Sequence, residues 1–315
     1  MQLVIRSRTV AADDIVALEL AAPDGEALPP FEAGAHIDLT LGNGLVRSYS
    51  LVNAPAERHR YVVAVNRDPS SRGGSRYVHD SLEPGQTIEV TGPRNNFKLV
   101  EDASLVVLIA GGIGVTPLWC MIQRLEELGH AWKLFYGSRS RSKCAYLSDI
   151  QALEARYPER VELHFNDEHD GRVLDMAAAV AAAPRDAHLY CCGPVLMLRA
   201  FEEATANRPE GHAHVEYFSA QQEAACAGGF NLVLARSQRK LYVEQGKSVL
   251  DILLDAGIEI THCCREGVCG ACQTTVLEGE PDHRDSYLTP QERRSGKSIM
   301  PCCSGSLSET LVLDL

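Results

Sequence analysis

The segment CCREGVCGAC constrains this chain more than any other. Cys264, Cys269 and Cys272 stand at C-x4-C-x2-C spacing, and a pair at Cys302–Cys303 returns near the C-terminus. Gly267 and Gly270 let the backbone between these thiols wrap closely and turn its N–H groups toward whatever the sulfurs hold. The chain carries 11 cysteines, an odd number, with no export signal in MQLVIRSRTV. That combination argues against a disulfide framework and for a metal or redox site.

The spacing is the one that plant-type [2Fe–2S] centres use. Four thiolates neutralise and hold two irons and two sulfides. The fourth ligand is 302 or 303, because a ligand from a remote strand tolerates one residue either way. Adjacent side chains of a strand face opposite ways, so only one of the two aims at the cluster. Zinc also occupies Cys-x2-Cys pairs, but only one such pair is present here. A Rieske centre needs histidine ligands, usually as Cys-x-His, and that dipeptide spacing does not occur. His283, in EGEPDHRD, is read as part of a polar turn rather than as a ligand.

At 315 residues, more than one domain is expected. Residues 1–100 carry short β-rich runs (15–20, 36–41, 46–52, 61–65 and 87–90) separated by Gly/Pro turns, which predicts a small antiparallel barrel. Residues 101–222 alternate strands with helices, beginning with the continuous apolar run LVVLIA, which predicts a doubly wound parallel sheet. SAQQEAACAGG (219–229) reads as a linker, and 229–315 as the cysteine-bearing domain. There Ser248 is expected to cap a short helix with Val249, Ile252 and Leu253 on one face and Gly257 as its stop.

GGIGVTP joins a buried strand to an amphipathic helix. Gly111, Gly112 and Gly114 permit a tight turn and close backbone approach to a pyrophosphate, and Pro117 suits the first helical turn. HLYCCGP is a second strand end. Ligands of open α/β sheets lie at the carboxyl ends of strands, so Cys192, Gly193 and Pro194 could lie against a nicotinamide ring. In RSYSL, Arg47 can pair a phosphate, Tyr49 can lie along a flavin, and Ser50 can bond its N5 or O4. Arg47 and Tyr49 share one strand face, Ser48 and Ser50 the other. Gly74 and Ser75, in a GGS turn, form a second phosphate cradle.

The formal charge of −12 argues against nucleic acid, whose binders usually carry a basic patch. No run of eighteen apolar residues exists, so no membrane span is expected. The chain reads as a cytoplasmic, soluble protein. A carrier whose upstream domains only dock partners, and a flavin reductase releasing free flavin, are the rival classes.

The motifs RSYSLVN, RDPSSRGGSRYVHD, AGGIGVTP, YCCGP, EYF, CREGVCGAC, EGEPDHRD and LVLDL occur in this order over essentially the whole chain. In this the chain resembles the phthalate dioxygenase reductase family, which includes vanillate O-demethylase reductases. The resemblance implies a flavin barrel, a nucleotide domain and a β-grasp ferredoxin domain. It also implies electron movement from NADH through FMN to a [2Fe–2S] cluster, and then to the Rieske centre of a separate terminal oxygenase; the chain is expected to be a monomer. It places Arg47, Ser48, Tyr49, Ser50, Gly74, Ser75 and Thr116 around FMN, and Gly112, Gly114, Cys192, Gly193 and Pro194 around NADH. It sets Phe218 against the flavin ring and prefers Cys302 as the fourth ligand. GSRSRSK (137–143) lacks an early acidic residue for a ribose 2′-OH, which leaves NADPH open.

Overall fold

An 11-residue strand that the sequence patterns do not mark, β1 (Gln2–Ala12), runs inside the first sheet. Leu3 and Ile5 are buried while Val10 is 77% exposed, so alternation covers too few residues to signal it. The structure, a computed structural model, describes residues 1–69 and 71–315. Ser70, in the RDPSSRGGS stretch, lies outside the described residues. The described residues divide into two units, Met1–Glu216 and Tyr217–Leu315.

The first unit contains two sheets. Its N-terminal part adds β2 (Ile15–Ala21), β3 (His36–Thr40), β4 (Val46–Ser50), β5 (Tyr61–Asn66), α1 (Gly74–Ser81) and β6 (Thr87–Arg94). The sheet order is β4–β3–β6–β1–β2–β5, with every neighbouring pair antiparallel. A bridge from Leu51 to Val63, and the Val52 N–H donating to Val62 O at 2.9 Å, bring the chain after β4 onto β5, closing the sheet on itself.

Next come β7 (Val106–Gly111), α2 (Val115–Leu128), β8 (Trp132–Ser138), α3 (Leu147–Arg156), β9 (Val161–Phe165), α4 (Met176–Ala181), β10 (His188–Cys192), α5 (Val195–Thr205) and β11 (Ala213–Glu216). They build an all-parallel sheet of order β11–β10–β7–β8–β9. All of β7 is buried, as its unbroken apolar sequence requires. The chain leaves β7 toward β8 and later returns on the other side as β10, so a crevice opens at the carboxyl ends of β7 and β10. α2 stops at Gly129, whose φ of 71° suits the left-handed cap. α4 is shorter than the alanine-rich run because Asp175 accepts from Ala178 N at 3.0 Å and sets its start. The sheets share a core: Cys120 Sγ of α2 donates to Asn53 O at 3.2 Å, and Gln123 Nε2 to Val52 O at 2.7 Å.

In the second unit, β12 (Phe230–Leu234), β13 (Arg239–Val243), α6 (Val249–Asp255), β14 (Thr274–Glu278), β15 (Pro281–Asp282), α7 (Pro290–Ser295), β16 (Ser298–Ile299), β17 (Gly305–Ser306) and β18 (Thr310–Leu313) follow. The mixed sheet runs β13–β12–β18–β14–β16, with β12 and β18 parallel. Ser248 and Asp251 close a capping box on α6. Its Val249, Ile252 and Leu253 pack on Phe230, Leu232, Val276, Leu311 and Leu313, as the helical spacing requires. Among the described residues no helix is long and apolar enough to cross a membrane.

Candidate functional site

The thiol loop lies between α6 and β14, too rich in left-handed positions for regular structure. Gly267 and Gly270 have φ of 71° and 72°. A side chain on Gly270 would strike the Tyr287 ring, and one on Gly267 would strike Cys303 Sγ and Asp285. Cys264, Cys269, Cys272 and Cys302 are all buried, and none is joined in a disulfide. Their sulfurs form one connected set. Cys264 touches Cys269 and Cys302, and Cys272 touches Cys302. The Glu266 N–H also donates to Cys264 Sγ at 3.3 Å. Among the described residues no group of three or more His, Cys, Asp or Glu closes on a single ion. An all-sulfur donor set suits an iron–sulfur cluster. Cys303 turns elsewhere, its Sγ 3.8 Å from Met300 O and 3.8 Å from Ser304 Oγ, while also touching Cys302. Cys263 sits against Cys269.

At the crevice of the first unit, the GGIG turn packs on the end of β10. A Cβ on Gly111 would lie 2.6 Å from Pro194 Cδ, and one on Gly193 3.0 Å from Gly111 Cα. A Cβ on Gly114 would overlap the Cys192 carbonyl, whereas Gly112, at φ 53°, faces open space. Gly114→Ala is therefore expected to destabilise the first unit by about 1–3 kcal/mol through overpacking. Calorimetry reads this, and an unchanged unfolding midpoint would mean that β10 yields freely.

The sequence reading missed one residue at this edge. Glu216 ends β11 and pairs in register with Cys192. The Ser50 hydroxyl donates to Glu216 Oε2 at 3.5 Å. Burial pushes the Glu216 carboxyl up to about 8, with Ser50 pulling the other way. Burial and then the Glu216 charge push the Cys192 thiol far up, so it is no thiolate at neutral pH. An acidic residue closing the strand-like HVE, in the EYF motif, was the available signal.

A third cluster lies on β4 and α1. Gly74 has no room for a side chain because the Arg47 stem and Nε occupy that space, 2.7 Å from a built Cβ. A guanidinium therefore lies over the first turn of a helix, where N–H groups are free, and this suits a phosphate. Ser75 Oγ accepts from Asp68 N at 3.2 Å. Ser48 donates to Asp38 Oδ1 at 2.7 Å, and Arg94 Nη2 holds that buried carboxylate at 2.5 Å. Tyr49 is partly buried against the core. Thr116 uses its hydroxyl on Ile113 O at 3.0 Å, inside its own turn. Phe218 is 41% exposed and belongs to the second unit. Of the cations in GSRSRSK, Arg141 makes a two-pronged pair with Glu168 (2.6 and 3.0 Å) and Lys143 pairs with Asp14.

Two family models match the chain. One is a 2Fe-2S iron-sulfur cluster binding domain over residues 232–305, the other an oxidoreductase NAD-binding domain over 108–203. Phenoxybenzoate dioxygenase subunit beta of Ectopseudomonas oleovorans is 50% identical over 315 residues, covering 100% of this chain and 97% of that protein. Tetrachlorobenzoquinone reductase of Sphingobium chlorophenolicum is 47% identical, covering 100% and 98%. A solved structure of phthalate dioxygenase reductase, described as modular for electron transfer from pyridine nucleotides to [2Fe–2S], superposes with a TM-score of 0.76 at 36% identity, covering 100% and 98%. An intact type IV self-sufficient cytochrome P450 monooxygenase gives a TM-score of 0.87 at 39% identity; this chain covers 41% of it.

Proposed function

Because the chain belongs to the phthalate dioxygenase reductase family, we propose that it is the reductase component of a two-component Rieske-type oxygenase or demethylase. In this reading it draws electrons from NADH through FMN to a [2Fe–2S] cluster and passes them to a separate terminal oxygenase, as a cytoplasmic monomer. One observation carries it: a single chain holds a nucleotide-type crevice and a flavin-type phosphate cradle in its first unit and a buried four-thiol set in its second. When bound, FMN supplies the step that neither neighbour can make, accepting two electrons as hydride and releasing them singly. The protein's residues do the rest. Gly112 and Gly114 leave the pyrophosphate a bare backbone, and Cys192, Gly193 and Pro194 form the edge on which the nicotinamide is held. Arg47, Gly74 and Ser75 take the FMN phosphate, while Ser48, Tyr49, Ser50 and Thr116 flank the flavin. Cys264, Cys269, Cys272 and Cys302 ligate iron. Ser50 and Glu216 form a path along which a proton can leave the crevice.

The purified protein is expected to contain iron and acid-labile sulfide in equal amounts, with FMN as the flavin released on denaturation. Anaerobic NADH should produce the electron paramagnetic resonance of a reduced [2Fe–2S] centre, and NADPH should do so more slowly. Flavin reduction with no cluster signal would leave a flavin reductase, and a cluster without flavin would leave a carrier. A second acceptor class, a quinone taking electrons directly, is favoured by the relative at 47% identity named tetrachlorobenzoquinone reductase. Rapid quinone turnover with no oxygenase coupling would select it.

A further inference from the structure

The EGEPDHRD turn places a carboxylate where the cysteine loop and the return segment meet. Asp285 has a fully buried side chain. Its Oδ2 accepts from the N–H groups of Tyr287 (3.2 Å) and Leu288 (2.8 Å), and its Oδ1 from the Ser304 hydroxyl (3.5 Å). Ser304 in turn accepts from Arg284 N at 3.1 Å and directly follows Cys303. On the other side, Ser286 N donates to Gly267 O at 2.9 Å, and a Cβ on Gly267 would lie 2.8 Å from Asp285 Cα. The turn so fixed lays Tyr287 over Gly270 and packs Leu288 with Cys272 and Cys302.

A buried carboxylate is costly unless its charge is answered. Arg293 Nη2 lies 3.8 Å from Oδ2 and donates to the Asp285 carbonyl at 2.6 Å. His283 Nδ1 lies 3.6 Å from Oδ1, so two basic side chains face the carboxylate.

We propose that Asp285 is a positioning residue of the cysteine cage, clamping the Cys264–Cys272 loop to the segment that carries Cys302 and holding a fixed negative charge beside both. The inference rests on the cluster reading above. A nearby fixed anion opposes the arrival of an electron, so removing it should make the cluster easier to reduce. Breaking the clamp should loosen the cage.

Asp285→Asn keeps the shape and an accepting oxygen but removes the charge. It should retain iron and sulfide, shift the cluster's reduction potential positive, and alter its paramagnetic resonance g-values. Asp285→Ala should lose iron to a chelator several-fold faster than the unsubstituted protein. A wild-type potential and spectrum in the Asn variant would overturn the proposal, as would wild-type iron loss in the Ala variant. Should these variants not fold, Ser304→Ala reads the clamp alone, where faster iron loss supports the proposal and unchanged loss overturns it. An unsubstituted protein without equal iron and sulfide would instead overturn the cluster reading, and this inference with it.

Discussion

Cys302→Ser is expected to empty the iron–sulfur centre while leaving bound flavin in place, whereas Cys303→Ala keeps both. Spacing cannot choose between these neighbours. The packing around them favours Cys302, because each sulfur has different company. Cys302 meets Cys264 and Cys272, both of which sit in the thiol loop. Cys303 lies near Met300 O and Ser304 Oγ, in the space that Gly267 leaves vacant. Removing Cys303 Sγ costs packing, about 1 kcal/mol for a small buried group. On the proposed assignment, removing Cys302 Sγ takes away a ligand, which serine replaces with a harder donor poorly matched to iron–sulfur chemistry. Iron analysis and electron paramagnetic resonance of the dithionite-reduced variants read both outcomes. A signal that survives in the 302 variant and vanishes in the 303 variant would reverse the assignment.

The thiol centre was legible in the sequence because ligand spacing on a short loop is local information. The GGIGVTP turn was legible for a related reason: a buried strand, bare glycines and a helix start stand in one continuous stretch. Ser248 and Gly257 bounded α6 by the same local chemistry. What sequence left hidden was built from residues far apart in the chain. Glu216 takes part in the crevice only because β11 lies beside β10 and the barrel brings Ser50 to its carboxyl. Asp285 was passed over as turn material because its partners Gly267, Ser304 and Arg293 converge on it from three other segments. β1 was missed for a different cause, since only its first half faces the core. In the cationic run GSRSRSK, the ion pairs of Arg141 with Glu168 and of Lys143 with Asp14 also join segments far apart in the chain.

Glu216→Gln should have the other large effect, slowing turnover by about 10²-fold, the scale of a lost proton-transfer group. Glutamine can still accept from Ser50, so the crevice should keep its shape and NADH should bind much as before. It cannot hold and release a proton. In the unsubstituted chain, burial raises the carboxyl to about 8, so it is protonated at neutral pH and can exchange its proton through Ser50. Turnover should therefore titrate near pH 8, and the Gln variant should lose that limb of the profile. Stability gives an independent reading. The folded value lies above the roughly 4.3 of an unfolded glutamate. The stability linked to this group is thus fully present below that lower value and drains away as pH rises through about 8. The unfolding midpoint of the first unit should fall between pH 5 and 8, and fall less in the Gln variant. If the variant keeps both the kinetic limb and the stability slope, the titrating group is not Glu216, and the proton leaves the crevice by another route.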